Sequence, residues 1–414
     1  MVRSLYSLLT LLMLPWAVVH LWLRSRRQPE YLQHIGERFA RYPVLQDTRP
    51  LIWIHAVSVG ETRAAETLIA ALKQRYPAHR ILLTHMTPTG RATASKILDD
   101  CERRYLPYDT PWAVRRFLRH YRPQLGLIME TELWPNLIGA CARQNIPLWL
   151  VNARLSERSA RGYARFGRLT RTALNELRGV IAQTEADAQR LRALGAKEVQ
   201  VCGNLKFDVQ APPALNVLAQ HWRSSIGACP VALCASTREG EEALILEAWR
   251  KAHPNALLAI VPRHPQRFDE VENLTAREGL SCQRRSESQP TADVQVWLGD
   301  SMGEMAAYYD FADVALIGGS LLDYGSQNLI EACAVGTPIL LGPSTFNFSE
   351  AAANALACGA AIAVNDADDF VVKAVALLND EARRAAMSAA GREFAQAHRG
   401  ATERTMQLIE TVLK

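Results

Sequence analysis

The chain contains no CxxC pair, no HExxH or HxxxH, no GxGxxG and no GKS or GKT. Each absence removes a class of chemistry. The eight cysteines (101, 141, 202, 229, 234, 282, 333 and 358) fall mostly inside apolar runs, as buried thiols of a reducing compartment do. Neither a disulfide framework nor a zinc site is expected, and the scattered histidines offer no metal site. Without a GxGxxG turn or a GK[ST] ending, a Rossmann dinucleotide site and a P-loop are also excluded. No low-complexity tract and no short-period repeat interrupts the 414 residues, a length suited to two domains with ample cores.

One stretch lacks charge altogether. Ser4 to Leu23 is 20 residues without a Lys, Arg, Asp or Glu, about 30 Å as a helix and enough to span a hydrocarbon core. Trp16 and Trp22 suit an interface, and Arg24, Arg26 and Arg27 follow at once. No A-x-A site follows and the positive charge lies after the apolar run, so an uncleaved N-terminal anchor is predicted rather than a signal peptide. The positive-inside bias puts the rest of the chain on the cytoplasmic side. Pro15 and His20 leave a shallow, interfacial helix open.

Net charge of +5 conceals a split: residues 1–205 carry 30 Lys+Arg against 16 Asp+Glu, and residues 206–414 carry 17 against 26. A basic first half beside an acidic second half points to an anionic partner for the first half, and the anchor favours a lipid surface over nucleic acid. Arg154, Arg158, Arg161, Arg165 and Arg168 recur at +4, +3, +4 and +3, one stripe if the segment is helical. That stripe is either a solvated face or a site for lipid phosphates. It lacks the interleaved aromatics of a single-strand nucleic-acid platform.

From residue 51 short apolar runs alternate with amphipathic stretches. Strands are predicted at Leu51–Ala56, Ile81–Thr84, Leu125–Met129, Leu148–Val151 and Val180–Ala182. A second series follows at Val231–Cys234, Leu257–Val261, Val294–Trp297, Val314–Ile317, Ile339–Leu341 and Ala361–Val364, with two helices ending the chain. This alternation predicts an α/β protein of two doubly wound, Rossmann-like domains facing across a cleft. The expected division is an anchor at 1–30, a first domain at 31–208 and a second at 209–414, with the break near Pro212-Pro213.

The segment 314–350 reads as strand, glycine-rich turn (Gly318, Gly319), a helix opened by Gly325-Ser326 and a second short strand. Such a unit presents a helix N-terminus to a phosphate, and Glu331 one turn in is placed for a ribose hydroxyl. A nucleotide-sugar site follows. Several other strand ends carry chemistry. Glu61, in His55-Ala56-Val57-Ser58-Val59-Gly60-Glu61, is either a first-turn helix acid or a base whose anion the helix dipole favours by about 0.3–1 kcal/mol. Glu130 and Glu132 cap the helix that follows them, steer an acceptor or orient a cation. Lys206 reaches a phosphate or carboxylate, or is solvated. Arg263, between Pro262 and Pro265, suits a phosphate or a base carbonyl. Ser236 to Glu242 reads as a capping box. Asp300 to Glu304 reads as a helix start with Gly303 allowing close approach, and Asp366 reads as an N-cap rather than part of a metal-binding DxD.

Together the blocks HAVSVGE, MTPTG (86–90), LPYD (106–109), METELWPN, VNARLSERSARGY, GNLKFD, VPRHPQRF, GDSMGEM, GGSL and GPSTFNF resemble those of the 3-deoxy-D-manno-octulosonic acid (Kdo) transferases of lipopolysaccharide synthesis, in one order through almost the whole chain. The resemblance implies a GT-B fold, an anchor in the inner membrane with the enzyme on its cytoplasmic face, CMP-Kdo as donor and the lipid A precursor lipid IVA as acceptor. It also implies inverting transfer with no metal or other cofactor. By matching position it implies Glu61 as base, with Glu130 and Lys206 assisting. It places CMP against Pro262, Arg263, Met302, Gly303, Glu304, Asn328, Leu329, Ile330 and Glu331. The chain departs from the family's GGHNPLE at Gly325–Glu331 and has Arg238 and Ser344 where His is frequent. Transfer of a UDP-sugar to a lipid by another GT-B enzyme is the alternative.

Overall fold

The structure, a computed structural model, describes residues 2–26, 28–98, 100–209 and 212–413. Arg27 of the basic flank and Gln210-Ala211 at the expected domain break lie outside them. Two compact units are present. The first runs to Val209 and takes up the chain again from Arg399, and the second ends at His398.

The first unit holds seven parallel strands: β1 (Leu51–His55), β2 (Arg80–His85), β3 (Glu102–Tyr105), β4 (Leu125–Met129), β5 (Leu148–Ala153), β6 (Gly179–Ala182) and β7 (Val199–Val201), in the order β3-β2-β1-β4-β5-β6-β7. Every residue of β1, β4, β5 and β6 is buried, because helices cover both faces of a parallel sheet. The order reverses between β1 and β4, so their C-terminal ends open the crevice where such sheets hold ligands.

The second unit repeats the plan with β8 (Val231–Thr237), β9 (Leu257–Pro262), β10 (Cys282–Arg284), β11 (Val296–Leu298), β12 (Val314–Ile317), β13 (Ile339–Leu341) and β14 (Ala361–Ala363), ordered β10-β11-β9-β8-β12-β13-β14. Its reversal lies between β8 and β12. An aromatic cluster of Trp222, Trp297, Tyr308 and Phe311, with ring centroids 4.8–5.8 Å apart, fills one face.

The end of the chain differs from expectation in two ways. Three helices close it, not two: Ala367–Leu378, Glu381–Ala397 and Ala401–Glu410. The last of these belongs to the first unit, so the second does not reach residue 414. Asp208 explains the return: its carboxylate accepts from Gly400 N (2.7 Å) and Thr402 N (2.6 Å), capping the final helix. Met406 and Ile409 then bury among Leu68, Leu72 and Leu205.

At the other end, Val2–Ser25 is one helix, long and apolar enough to cross a membrane by length and composition.

Candidate active site

The first unit gathers Glu61, Glu130 and Lys206. Ser58 N-caps the helix Val59–Arg75, and Glu61 occupies its first turn with only 8% of its surface exposed. Its carboxylate folds back on the cap, accepting from Val57 N (2.7 Å) and Ser58 Oγ (2.9 Å). The capping and the site readings therefore describe the same residue. Burial first, and the charge of Glu130 second, push the Glu61 carboxyl up from 4.5 to about 7. That displacement is worth about 3 kcal/mol, against about 0.3–1 kcal/mol from a helix terminus. The expectation that the dipole keeps Glu61 ionised is thus corrected: near pH 7 the group is poised between its two forms.

Glu130 follows β4 with a left-handed backbone (φ 55°), and Lys206 Nζ lies 3.2 Å from its Oε1. Lys206 stands on the short 3-10 turn Leu205–Asp208. Asn152, at the end of β5, fixes that turn by accepting from Leu205 N (3.0 Å). Burial, then Glu130, also raises the Glu132 carboxyl.

The neighbouring blocks act as struts. Thr87 Oγ1 donates to the Val57 carbonyl (2.9 Å) and caps the helix Pro88–Ile97. His55 packs edge-on to Trp134 at 6.1 Å, joining the β1 and β4 ends, and His85 Nδ1 bonds the Ala56 carbonyl at 2.8 Å. Burial lowers these imidazoles to about 3 and about 4, so both stay neutral. Asp109 caps the helix Pro135–Arg143 through Asn136 N (2.9 Å) and Leu137 N (2.8 Å). The roles of Ser58, Thr87 and Asp109 were missed. Ser58 and Thr87 stand three residues before Glu61 and Gly90, a capping spacing that could have revealed the first two.

In the second unit, the ends of β8 and β12 approach so closely that a Cβ on Gly318 would lie 2.4 Å from the Ser236 carbonyl oxygen. A Cβ on Gly342 would lie 2.2 Å from that of Ser320. The fully buried Glu241 ties the two loops, accepting from Arg238 N (2.8 Å), Gly319 N (2.6 Å) and Leu321 N (3.0 Å). The predicted capping box is therefore absent. Gly240 (φ 90°) is the N-cap, and the acids bridge loops instead.

Two predicted helix starts are also displaced. The helix after the glycine-rich turn begins at Ile330, not at Gly325-Ser326. Ser326 (φ 68°) is left-handed, and the amides of Ser326 and Gln327 are committed to the Gly319 and Gly318 carbonyls (2.7 and 2.9 Å). Met302 and Gly303 lie in the turn before the helix Met305–Phe311, where Glu304 pairs with Arg285 (3.1 Å).

Among the predicted nucleotide contacts, Asn328 Nδ2 donates to Glu331 Oε1 (3.0 Å), and Arg263 Nε donates to Gln327 Oε1 (3.3 Å). Pro262 ends β9, and Leu329 and Ile330 are core side chains that offer a ligand only backbone. Arg238, at the β8 end, sits over the Tyr324 ring (4.7 Å) and 3.2 Å from His264 Nε2. Asp366 caps the helix Ala367–Leu378. The arginine stripe is broken: Arg154 precedes the helix Glu157–Arg165, and Arg168 starts the helix Gly167–Glu176 beyond an exposed Phe166.

Residues 33–209 match the family model of 3-deoxy-D-manno-octulosonic-acid transferases, and residues 243–394 match that of glycosyl transferases group 1. A 3-deoxy-D-manno-octulosonic acid transferase of Bordetella pertussis is 43% identical over 99% of both chains. Another from Haemophilus influenzae is 36% identical over 100% of this chain and 99% of its own. The chain belongs to the Kdo transferases. It is a glycosyltransferase. The fold is GT-B-like; at 16% identity, the UDP-GlcNAc 2-epimerase of Neisseria meningitidis aligns over 88% of this chain and 99% of its own with a TM-score of 0.59. In Kdo-transferase terms, HAVSVGE and METELWPN supply the two strand ends of the first crevice, and GNLKFD supplies Lys206.

Proposed function

We propose that this Kdo transferase moves Kdo from CMP-Kdo to a sugar hydroxyl of lipid IVA, with inversion and without a metal. One observation carries the reading: a buried carboxyl, raised to about 7, stands at the strand-order reversal beside an ion-paired glutamate. A base with its pKa near the working pH combines a useful deprotonated fraction with useful proton affinity. Glu61 takes the proton of the acceptor hydroxyl as its oxygen attacks the anomeric carbon of Kdo. The bond from that carbon to the CMP phosphate oxygen breaks, and CMP leaves with the electron pair.

Lys206 holds Glu130 and adds a cation beside the developing negative charge. In the second unit, Arg263 contacts the departing phosphate. Glu331 and Asn328 take ribose hydroxyls. Pro262, Leu329 and Ile330 shape the pocket, and Met302, Gly303 and Glu304 border the base. The helix Val2–Ser25 anchors the enzyme to the cytoplasmic face of the inner membrane, with Arg158, Arg161 and Arg165 of the helix Glu157–Arg165 facing lipid phosphates. Incubation with CMP-Kdo and lipid IVA, with products weighed by mass spectrometry, tests the reading. Gain of one or more Kdo masses supports it. Transfer from a UDP-sugar instead would overturn the donor assignment.

A further inference from the structure

The helix Val2–Ser25 touches the first unit at both of its ends. Near its start, Arg3 pairs with Glu176, Tyr6 OH donates to Asp109 Oδ2 (2.9 Å) and Ser7 Oγ donates to Asn136 Oδ1 (2.8 Å). Near its end, Leu21 and Ser25 are buried. The chain then turns through Pro29–Leu32 to Arg38, which is 2% exposed and donates to the Met86 carbonyl (3.0 Å). Between the ends, the less exposed positions are 3, 6, 7, 10, 14, 17, 21 and 25, an i, i+3/i+4 stripe along the whole helix. All other described positions of the helix are exposed, among them Leu5, Leu8, Leu12, Trp16, Val19 and Leu23.

A helix of 24 residues is about 36 Å long. If it crossed a bilayer, residues 3 and 25 would lie on opposite sides of about 30 Å of hydrocarbon. Arg3, Tyr6 and Ser7 could not then reach Glu176, Asp109 and Asn136 of the unit into which residues 28–40 lead. Arg3, Tyr6, Ser7, Thr10 and Ser25 lie on the inner stripe, and the outer face is apolar apart from Ser4 near its start and His20 and Arg24 near its end.

We infer that this helix does not span: it lies in the plane of one leaflet of an anionic bilayer, clamped to the first unit along its inner stripe. The charge around its root fits that partner. A cavity of about 550 Å³ is lined by Asn136, the residue that Ser7 binds, and by Arg115, Arg119, Arg122 and Arg143, with no acidic side chain among the described residues of its lining. Arg24 and Arg26 follow at the other end. Arginines flanking an apolar helix face suit acidic headgroups at the depth of an interfacial helix. The inference rests on the anchor reading, and the test separates the two.

The full chain carrying Cys358→Ser, which removes the exposed thiol, receives either Val2→Cys or Val44→Cys. Val2 starts the helix (41% exposed) and Val44 lies on the first unit (89% exposed). Membranes from a Gram-negative host, prepared as right-side-out spheroplasts and as inside-out vesicles, are floated and then treated with a membrane-impermeant PEG-maleimide. The expected result is flotation, with both thiols giving a gel shift in inside-out vesicles and neither in spheroplasts. Flotation with the Val2→Cys thiol labelled only in spheroplasts overturns the in-plane inference and leaves the anchor standing. Failure to float overturns the anchor reading itself. Adding Tyr6→Phe and Ser7→Ala loosens the clamp. Faster proteolysis before Pro29, or transfer of the Val2→Cys thiol to the far side, supports the clamp, and unchanged proteolysis with unchanged labelling overturns it.

Discussion

Lys206 holds its ammonium 3.2 Å from Oε1 of Glu130, the residue whose charge is the second cause of the raised Glu61 pKa. The acidic limb of the pH–rate profile is therefore set by three residues, and two substitutions should move it in opposite directions. Transfer requires deprotonated Glu61, so kcat/KM should fall as the pH drops through about 7. Glu130→Gln removes the like charge, lowers the Glu61 pKa and shifts the limb to lower pH. Lys206→Ala leaves Glu130 uncompensated, raises the Glu61 pKa and shifts the limb to higher pH. Both variants lose rate, but only this electrostatic arrangement gives shifts of opposite sign. Limbs moving the same way in both would refute it.

Glu61→Gln keeps the size of the side chain and removes the base. Transfer should fall by about 10²–10⁴-fold, while CMP affinity measured by calorimetry stays within about threefold, since the proposed CMP contacts all lie in the second unit. Circular dichroism should match that of the parent. Full turnover by the folded variant would sink the assignment of Glu61.

The sequence made the central strands legible because their burial on both faces requires continuous apolar runs such as Leu51–Ile54 and Val314–Ile317. The strands it hid, β3, β7 and β10, lie at or next to the outer margins of the sheets and read ERRY, VQV and CQR. An edge demands little apolar surface and leaves no such run. Glu61, Glu130 and Lys206 stood out by place and by family resemblance. The raised Glu61 pKa did not, because its causes are burial and a partner 69 positions away. The late start of the helix at Ile330 was hidden for a similar reason: the amides that would open it earlier bond to the end of β12. For Val2–Ser25 the charge-free run was plain, whereas its docking depends on Asp109, Asn136 and Glu176, each more than 100 residues away.

Close approach and backbone conformation give two glycines of the second unit different sensitivities. The Cβ of Gly318→Ala would lie 2.4 Å from the Ser236 oxygen, and peptide atoms pinned between β8 and β12 cannot yield cheaply. Overpacking of this kind costs about 1–3 kcal/mol or more. Gly303 has φ 91° and open space around it, so Gly303→Ala carries only the left-handed backbone penalty of about 1–2 kcal/mol. Urea unfolding followed through the near-ultraviolet signal of the Trp222–Trp297 pair should show Gly318→Ala as the more destabilised. Equal midpoints would mean that the strand ends relax more readily than their geometry indicates.

Asp208 couples the end of the chain to the site, because one short turn carries both the cap of the last helix and Lys206. Asp208→Ala leaves Gly400 N and Thr402 N without their acceptor and should cost about 1–2 kcal/mol. For a unit of this size that lowers the melting temperature by about 2–4 °C per kcal/mol. Hydrogen exchange in Ala401–Glu410 should quicken before the sheet loses protection, since the helix opens as a local unit. The Leu205–Asp208 turn, relieved of its tie to Gly400, then holds Lys206 less firmly against Glu130. The acidic limb should accordingly move upward, as for Lys206→Ala but by less. Asp208→Asn, which retains one acceptor oxygen, should fall between parent and alanine in all three measurements. A destabilised helix with an unmoved limb would show that the Asn152–Leu205 bond alone is enough to fix the turn.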